Sequence, residues 1–163
     1  MSPGKEKSRW SPIHLAAIAA VVVAVMGFLA TDLDGWYQNL IKPPWQPPGW
    51  LFGPVWTLIY ALAALAGALA WQNTKASSDR YWILGLFALN AFLNVFWSLL
   101  FFRLHRPDWA LAEVFLLWLS IVALIIGLRA YSKTTTWLLL PYLGWVTFAA
   151  ALNLAVVQLN PEF

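Results

Sequence analysis

Five stretches of this chain, residues 13–30, 50–71, 82–102, 110–128 and 137–157, are mostly apolar over roughly 18 or more residues, enough helix to cross a bilayer core of about 30 Å. Hydrocarbon offers no water to backbone N–H and C=O groups, so a spanning segment must pair them within itself or within a closed barrel. Runs this long and this continuously apolar read as helices. Composition agrees, because 61% of the 163 residues are hydrophobic and 10% charged, against about 45–50% and about 25% in soluble domains. The sequence specifies an all-α integral membrane protein, a five-transmembrane-helix bundle over residues 13–160, with a basic tail at 1–12 and a short tail at 161–163. Lys5, Lys7 and Arg9 precede the first stretch as they would a secretion signal. That stretch is longer than an h-region of about 7–15 residues, and Phe28 is too bulky for an A-x-A cleavage site, so it reads as a retained anchor.

The connectors are short except the first, 31–49, which holds Trp36, Tyr37, Trp45 and the run Pro43-Pro44-Trp45-Gln46-Pro47-Pro48-Gly49. Proline fixes φ and removes a donor, so this connector is expected to be a stiff, non-helical strap that packs over the mouth of the bundle as a lid. Trp10, Trp50, Trp71, Trp82, Trp109 and Trp137 fall at span ends, where indoles commonly sit at headgroup level. Trp56, Trp97, Trp118 and Trp145 fall inside spans, where each indole N–H needs a partner in the bundle or on a ligand.

Helical spacing gathers the in-membrane polar and aromatic residues onto shared faces. Phe52, Trp56 and Tyr60 form one stripe, continued by the small residues Ala63 and Gly67, which are expected to pack closely. Asn90, Asn94, Trp97 and Ser98 form a second, and Tyr142, Trp145, Ala149 and Asn153 a third. Interhelical hydrogen bonding explains Asn153 and Ser98 singly. Together the stripes describe an apolar pocket with a few directed donors, suited to a large flat hydrophobic molecule. Gly85 and Ala88 point away from the Asn90 and Asn94 face and mark the third span as a dimer contact. Glu113, near the start of the fourth span, reads equally as a functional carboxyl and as an interfacial partner of Arg103 or Arg106.

Several chemistries are excluded. There is no Cys, and His14 and His105 are too few for an all-imidazole metal site, so no metal is expected. Hydrolase, dinucleotide, zincin and phosphate-loop patterns are missing, and basic residues outside the tail are scattered, which argues against a nucleic-acid partner.

The run from Lys42 to Tyr60, which carries Pro43-Pro44-Trp45, Pro47-Pro48-Gly49-Trp50 and Gly53-Pro54-Val55-Trp56, resembles the signature of the TspO/MBR family, the tryptophan-rich sensory and translocator (peripheral benzodiazepine receptor) proteins. The blocks Asn90-Ala91-Phe92-Leu93-Asn94 with Trp97-Ser98, and Pro141-Tyr142-Leu143-Gly144-Trp145 with Ala149, agree with it. The resemblance covers about residues 13–160 and implies a membrane-embedded homodimer that binds tetrapyrroles such as porphyrin or haem, with no required cofactor. Carried over by motif, the ligand-binding residues are Trp36, Tyr37, Trp56, Tyr60, Asn90, Asn94, Ser98, Trp145 and Ala149. Residues 154–158 lack the Tyr and Arg of the animal cholesterol-recognition pattern, which disfavours sterol binding. Three functions stay open: a tetrapyrrole-binding sensory or regulatory protein, a light- and oxygen-dependent porphyrin-degrading enzyme acting through Trp56 and Trp145, and a small-solute or sterol transporter. In the binding reading the ring stacks without an axial metal ligand, and Lys42 meets its propionates at the loop mouth.

Seven basic residues, Lys5, Lys7, Arg9, Lys75, Arg80, Arg129 and Lys133, lie on the side of the N-terminus, against Lys42, Arg103 and Arg106 on the other. By the positive-inside rule the N-terminus is cytoplasmic in a bacterial cell membrane. A reporter that works only outside the cytoplasm, fused after Phe163, is therefore expected to be active; activity confined to a cytoplasmic reporter at that position reverses the orientation.

Overall fold

The computed structural model describes residues 11–33 and 35–162. Trp10 and the tail bases Lys5, Lys7 and Arg9 lie outside the described residues. Six α-helices follow in order: α1 (Ser11–Ala30), the short α2 (Gly35–Asn39), α3 (Phe52–Asn73), α4 (Ser77–Ser98), α5 (Pro107–Arg129) and α6 (Lys133–Leu159). All but α2 are long and apolar enough to span a membrane, which makes the chain a multi-pass integral membrane protein. The helices overrun the apolar windows at most ends because backbone hydrogen bonding continues past the hydrocarbon edge. Pro107 and Asp108 open α5, Arg129 closes it, and the Ser132 hydroxyl accepts from the Thr134 N–H at the start of α6.

The spans close into a ring in which α1 packs on α3 and α4, α3 on α6, α6 on α5, and α5 on α4. One cluster, on the N-terminal side, joins Ala66, Ala70, Ile83, Leu86, Leu124, Leu128 and Leu139. A central one joins Ile59, Leu93, Val114, Leu117, Ile121, Tyr142 and Val146, with Trp56, Trp97, Trp118 and Trp145 around it. The third, of Leu40, Leu100, Phe101, Ala110 and Val156, lies where the first connector meets the bundle.

That connector departs from a wholly non-helical strap. Residues ahead of the prolines wind into α2, and only 40–48 run as irregular chain before a 3₁₀ turn at Gly49–Leu51 leads into α3. Proline's restriction acts on its own and the preceding residue, so it leaves Gly35–Asn39 free to coil. The strap covers the bundle mouth as expected. The Ile41 N–H donates to the Asn160 side-chain carbonyl at 2.9 Å, the Asn160 amide returns a bond to the Ile41 carbonyl at 3.0 Å, and Trp45 meets the Phe148 ring edge-on. On the same side α4 ends in a π-helical turn, Leu99–Arg103, followed by His105 at φ 53°. Arg103 ties this turn to the end of α1, bonding the Leu29 carbonyl at 2.7 Å and Asp32 at 3.1 Å.

Lipid-facing and core-facing positions should respond differently. Leu124 is fully buried and Ile126, two residues on, is 68% exposed to the surroundings of the bundle. Leu124→Ala is expected to cost about 2–5 kcal/mol and Ile126→Ala less than about 0.5 kcal/mol, read as thermal melting in detergent. Equal shifts would contradict the packing described.

Candidate functional site

At mid-depth the polar residues of four helices form one directed chain of hydrogen bonds. The Tyr60 hydroxyl of α3 donates to Asn94 Oδ1 at 2.7 Å, and Asn94 Nδ2 donates to the Tyr142 hydroxyl of α6 at 3.2 Å. Tyr142 donates to Asn90 Oδ1 at 3.1 Å, Asn90 Nδ2 to the Ser120 hydroxyl of α5 at 2.9 Å, and Ser120 to the Leu117 carbonyl at 2.7 Å. Asn90 and Asn94, one turn apart on α4, are both buried. Ser120 is the member that the sequence reading missed, although a lone hydroxyl in the apolar run of α5 was its visible signal.

Towards the strap the bundle fills with rings. Trp56 stacks on Tyr60 at 5.4 Å between centroids and meets Tyr142 edge-on, while Trp145 meets Phe52 at 5.5 Å and Phe148 at 5.4 Å. The Trp118 N–H finds the Thr147 hydroxyl at 2.9 Å, whereas the buried N–H groups of Trp97 and Trp145 have no partner among the described residues. Outside this layer Trp36 stacks on His105 at 4.4 Å, and Tyr37 packs on Phe102 with Lys42 over its ring. Gln46 donates to the Tyr37 hydroxyl, which favours the phenolate slightly, but burial is the larger effect and raises the Tyr37 pKa.

Two cavities divide the sequence-derived residues. Trp36 and Tyr37 line a small one of about 120 Å³ with Asp32 and His105. A larger cavity of about 330 Å³ takes Tyr60, Asn90 and Asn94, together with Tyr142. It runs from this polar layer away from the strap, between α1, α3 and α4. Trp56, Ser98, Trp145 and Ala149 line neither of the two; the first and third belong to the packed aromatic layer, and Ser98 is buried at the end of α4. Ala63 and Gly67 border the larger cavity and also pack closely as expected, since a Cβ on Gly67 would lie 3.1 Å from the Phe87 ring of α4. Ala88 borders it too, while Gly85 faces open space.

Glu113 corrects the interfacial reading. It is 4% exposed, and neither carboxyl oxygen has a partner among the described residues, since Arg103 bonds Asp32 and Arg106 bonds Asp108. Asn153 acts as helix glue, donating to the Pro107 carbonyl at 2.8 Å.

These features define a polytopic helical membrane protein whose inner polar relay is roofed by tryptophans and a proline-rich strap. The model of the TspO/MBR family matches residues 15–159, and the chain belongs to that family. It is 38% identical to "Tryptophan-rich protein TspO" of Archaeoglobus fulgidus over 90% of this chain and 94% of that one. It is 37% identical to "Tryptophan-rich sensory protein" of Cereibacter sphaeroides over 78% of each chain, and 33% identical to the human "Translocator protein" over 93% of this chain and 91% of that one.

Tyr142 is the hub of the relay, accepting one bond and donating another, whereas Tyr60 makes only the first link. Tyr142→Phe strands two buried amides and is expected to destabilise the bundle by about 1–3 kcal/mol, with Tyr60→Phe costing less. Thermal melting of both variants checks the order, and a larger loss at Tyr60 would contradict the relay.

Proposed function

We propose that this is a membrane sensory or regulatory protein that takes up a tetrapyrrole on the strap side of the bundle, stacked against Trp56 and Trp145. The observation that carries the reading is the aromatic layer under the strap, in which the Trp145 indole N–H is buried with no acceptor among the described residues. A stranded donor costs free energy that an acceptor on a ligand would recover. The names of the relatives, sensory and tryptophan-rich, support the role.

Size keeps the macrocycle out of the larger cavity. A cavity of about 150 Å³ holds one benzene, so the 330 Å³ between α1, α3 and α4 is too small for four linked pyrroles. On the strap side the ring would enter by lifting residues 40–48, whose hold on the bundle includes the paired bonds between Ile41 and Asn160. Burial of a flat ring gains about 25 cal/mol per Å², less the cost of moving the strap. The propionates stay at the mouth, where the ammonium of the half-buried Lys42 lies 4.3 Å from the centre of the Tyr37 ring and donates to the Gln38 carbonyl at 3.4 Å. Iron contributes little, because His105 is already stacked on Trp36 and His14 lies at the start of α1, at the opposite end of that helix from the strap. Self-association along α4, at the open face beside Gly85, belongs to the same proposal.

Titration with protoporphyrin IX, followed by tryptophan fluorescence quenching, is expected to show saturable binding that Trp145→Phe weakens about tenfold, roughly 1.4 kcal/mol. Haemin should bind within tenfold of the metal-free ring. Haemin affinity more than tenfold higher, abolished by His14→Ala or His105→Ala, would replace stacking with axial ligation. Loss of the porphyrin absorption band under light and oxygen alone would favour turnover over sensing.

A further inference from the structure

The 330 Å³ cavity between α1, α3 and α4 lies in the half of the membrane away from the strap. Its walls come from three stretches of equal length, residues 12–23, 60–71 and 83–94, each about 16 Å of helix at about 1.5 Å per residue. That is close to half of a hydrocarbon core of about 30 Å, so the cavity is one leaflet deep. A volume of about 330 Å³ spread over that depth makes the cavity long and narrow, a shape that suits an extended hydrocarbon chain better than a macrocycle.

The lining has the matching chemistry. Ala16, Ala20, Ala64, Gly67 and Ala91 make a narrow, smooth wall. The deep end is closed by Tyr60 and Asn94, whose polar atoms are already bonded within the relay and ask little of an occupant. The outer end is basic. Trp71 lines the cavity there, and the Arg80 guanidinium lies 5.3 Å from the centre of its ring. Arg80 Nε donates to the Thr74 hydroxyl, and its two terminal nitrogens have no protein acceptor among the described residues. Lys75 and His14 are on the same side, with Asp79 as the neighbouring acid.

We propose that this cavity binds the chain of a long-chain fatty acid, with the methyl end against Tyr60 and Asn94 and the carboxylate at Arg80. The occupant enters from the leaflet on the N-terminal side, between α1 and α4, where Leu15 and Leu84 are both cavity-lining and exposed. The site meets the strap-side aromatic layer only at Tyr60, and its argument does not depend on what that layer binds.

Radiolabelled palmitate, titrated onto the purified protein in phosphatidylcholine nanodiscs, is expected to bind saturably at one molecule per chain. Ala64→Phe and Ala20→Phe fill the cavity from two different helices, and each should weaken binding at least tenfold. Arg80→Gln should weaken palmitate about fivefold or more while leaving the affinity of palmitate methyl ester unchanged. Neither cholesterol nor protoporphyrin IX should displace the label. Non-saturable uptake matching empty nanodiscs would mean bulk-lipid partition and overturn the proposal, as would binding that both plugs leave intact. Displacement by cholesterol would reassign the cavity to sterols, and equal loss of acid and ester in Arg80→Gln would remove the carboxylate site.

Discussion

A backbone carbonyl orients the whole interior of this bundle. The Leu117 carbonyl can only accept, so the Ser120 hydroxyl bonded to it must donate, and Ser120 in turn accepts from the Asn90 amide nitrogen. With that nitrogen committed, Asn90 turns its oxygen to the Tyr142 hydroxyl, Tyr142 accepts from the Asn94 nitrogen, and the Asn94 oxygen is left for Tyr60. Each choice forces the next. In hydrocarbon a misdirected amide has no water to turn to, so one acceptor on α5 fixes side-chain orientation on α4, α6 and α3.

The relay also divides the membrane into two unlike halves. On the strap side large rings fill the space between α3 and α6, and the chain returns over them through Ile41 and Asn160. On the other side alanines and a glycine leave a narrow channel-like cavity under α1. Tyr60 belongs to both, stacked on Trp56 with its ring and closing the cavity with its hydroxyl end. Gly27 of α1 passes close to that hydroxyl, since a Cβ there would lie 3.7 Å from it.

The five spans and the faces they turn inward were legible because length and helical period depend on sequence alone. Asn90 and Asn94 could be placed on one inner face by their spacing, and Tyr142 on a face of its own. Which polar groups meet could not be read, since Ser120 is brought to Asn90 by the tilt and register of α5, which tertiary packing decides. The same holds for Ala63 and Gly67, whose small side chains permit a tight crossing or a void; both occur, since the two line the cavity while a Cβ on Gly67 would meet the Phe87 ring of α4 at 3.1 Å. Glu113 shows the limit of reading charge by position. Its nearest basic residues in sequence, Arg103 and Arg106, were already engaged by Asp32 and Asp108.

The first span stands apart from the other four in a way that bears on how the protein is made. Its most apolar window has a mean hydropathy of 2.5, yet only 6% of it is buried in the bundle, against 39% for α5. A helix so apolar is stable in lipid by itself, and it meets the bundle along one side only, against α3 and α4. It leaves the ribosome ahead of every helix it will touch, and its clasp, Arg103, is made some seventy residues later. Assembly therefore trails synthesis at this point: α1 is made before α3 and α4 exist to receive it, and Arg103 adds its clasp only after both.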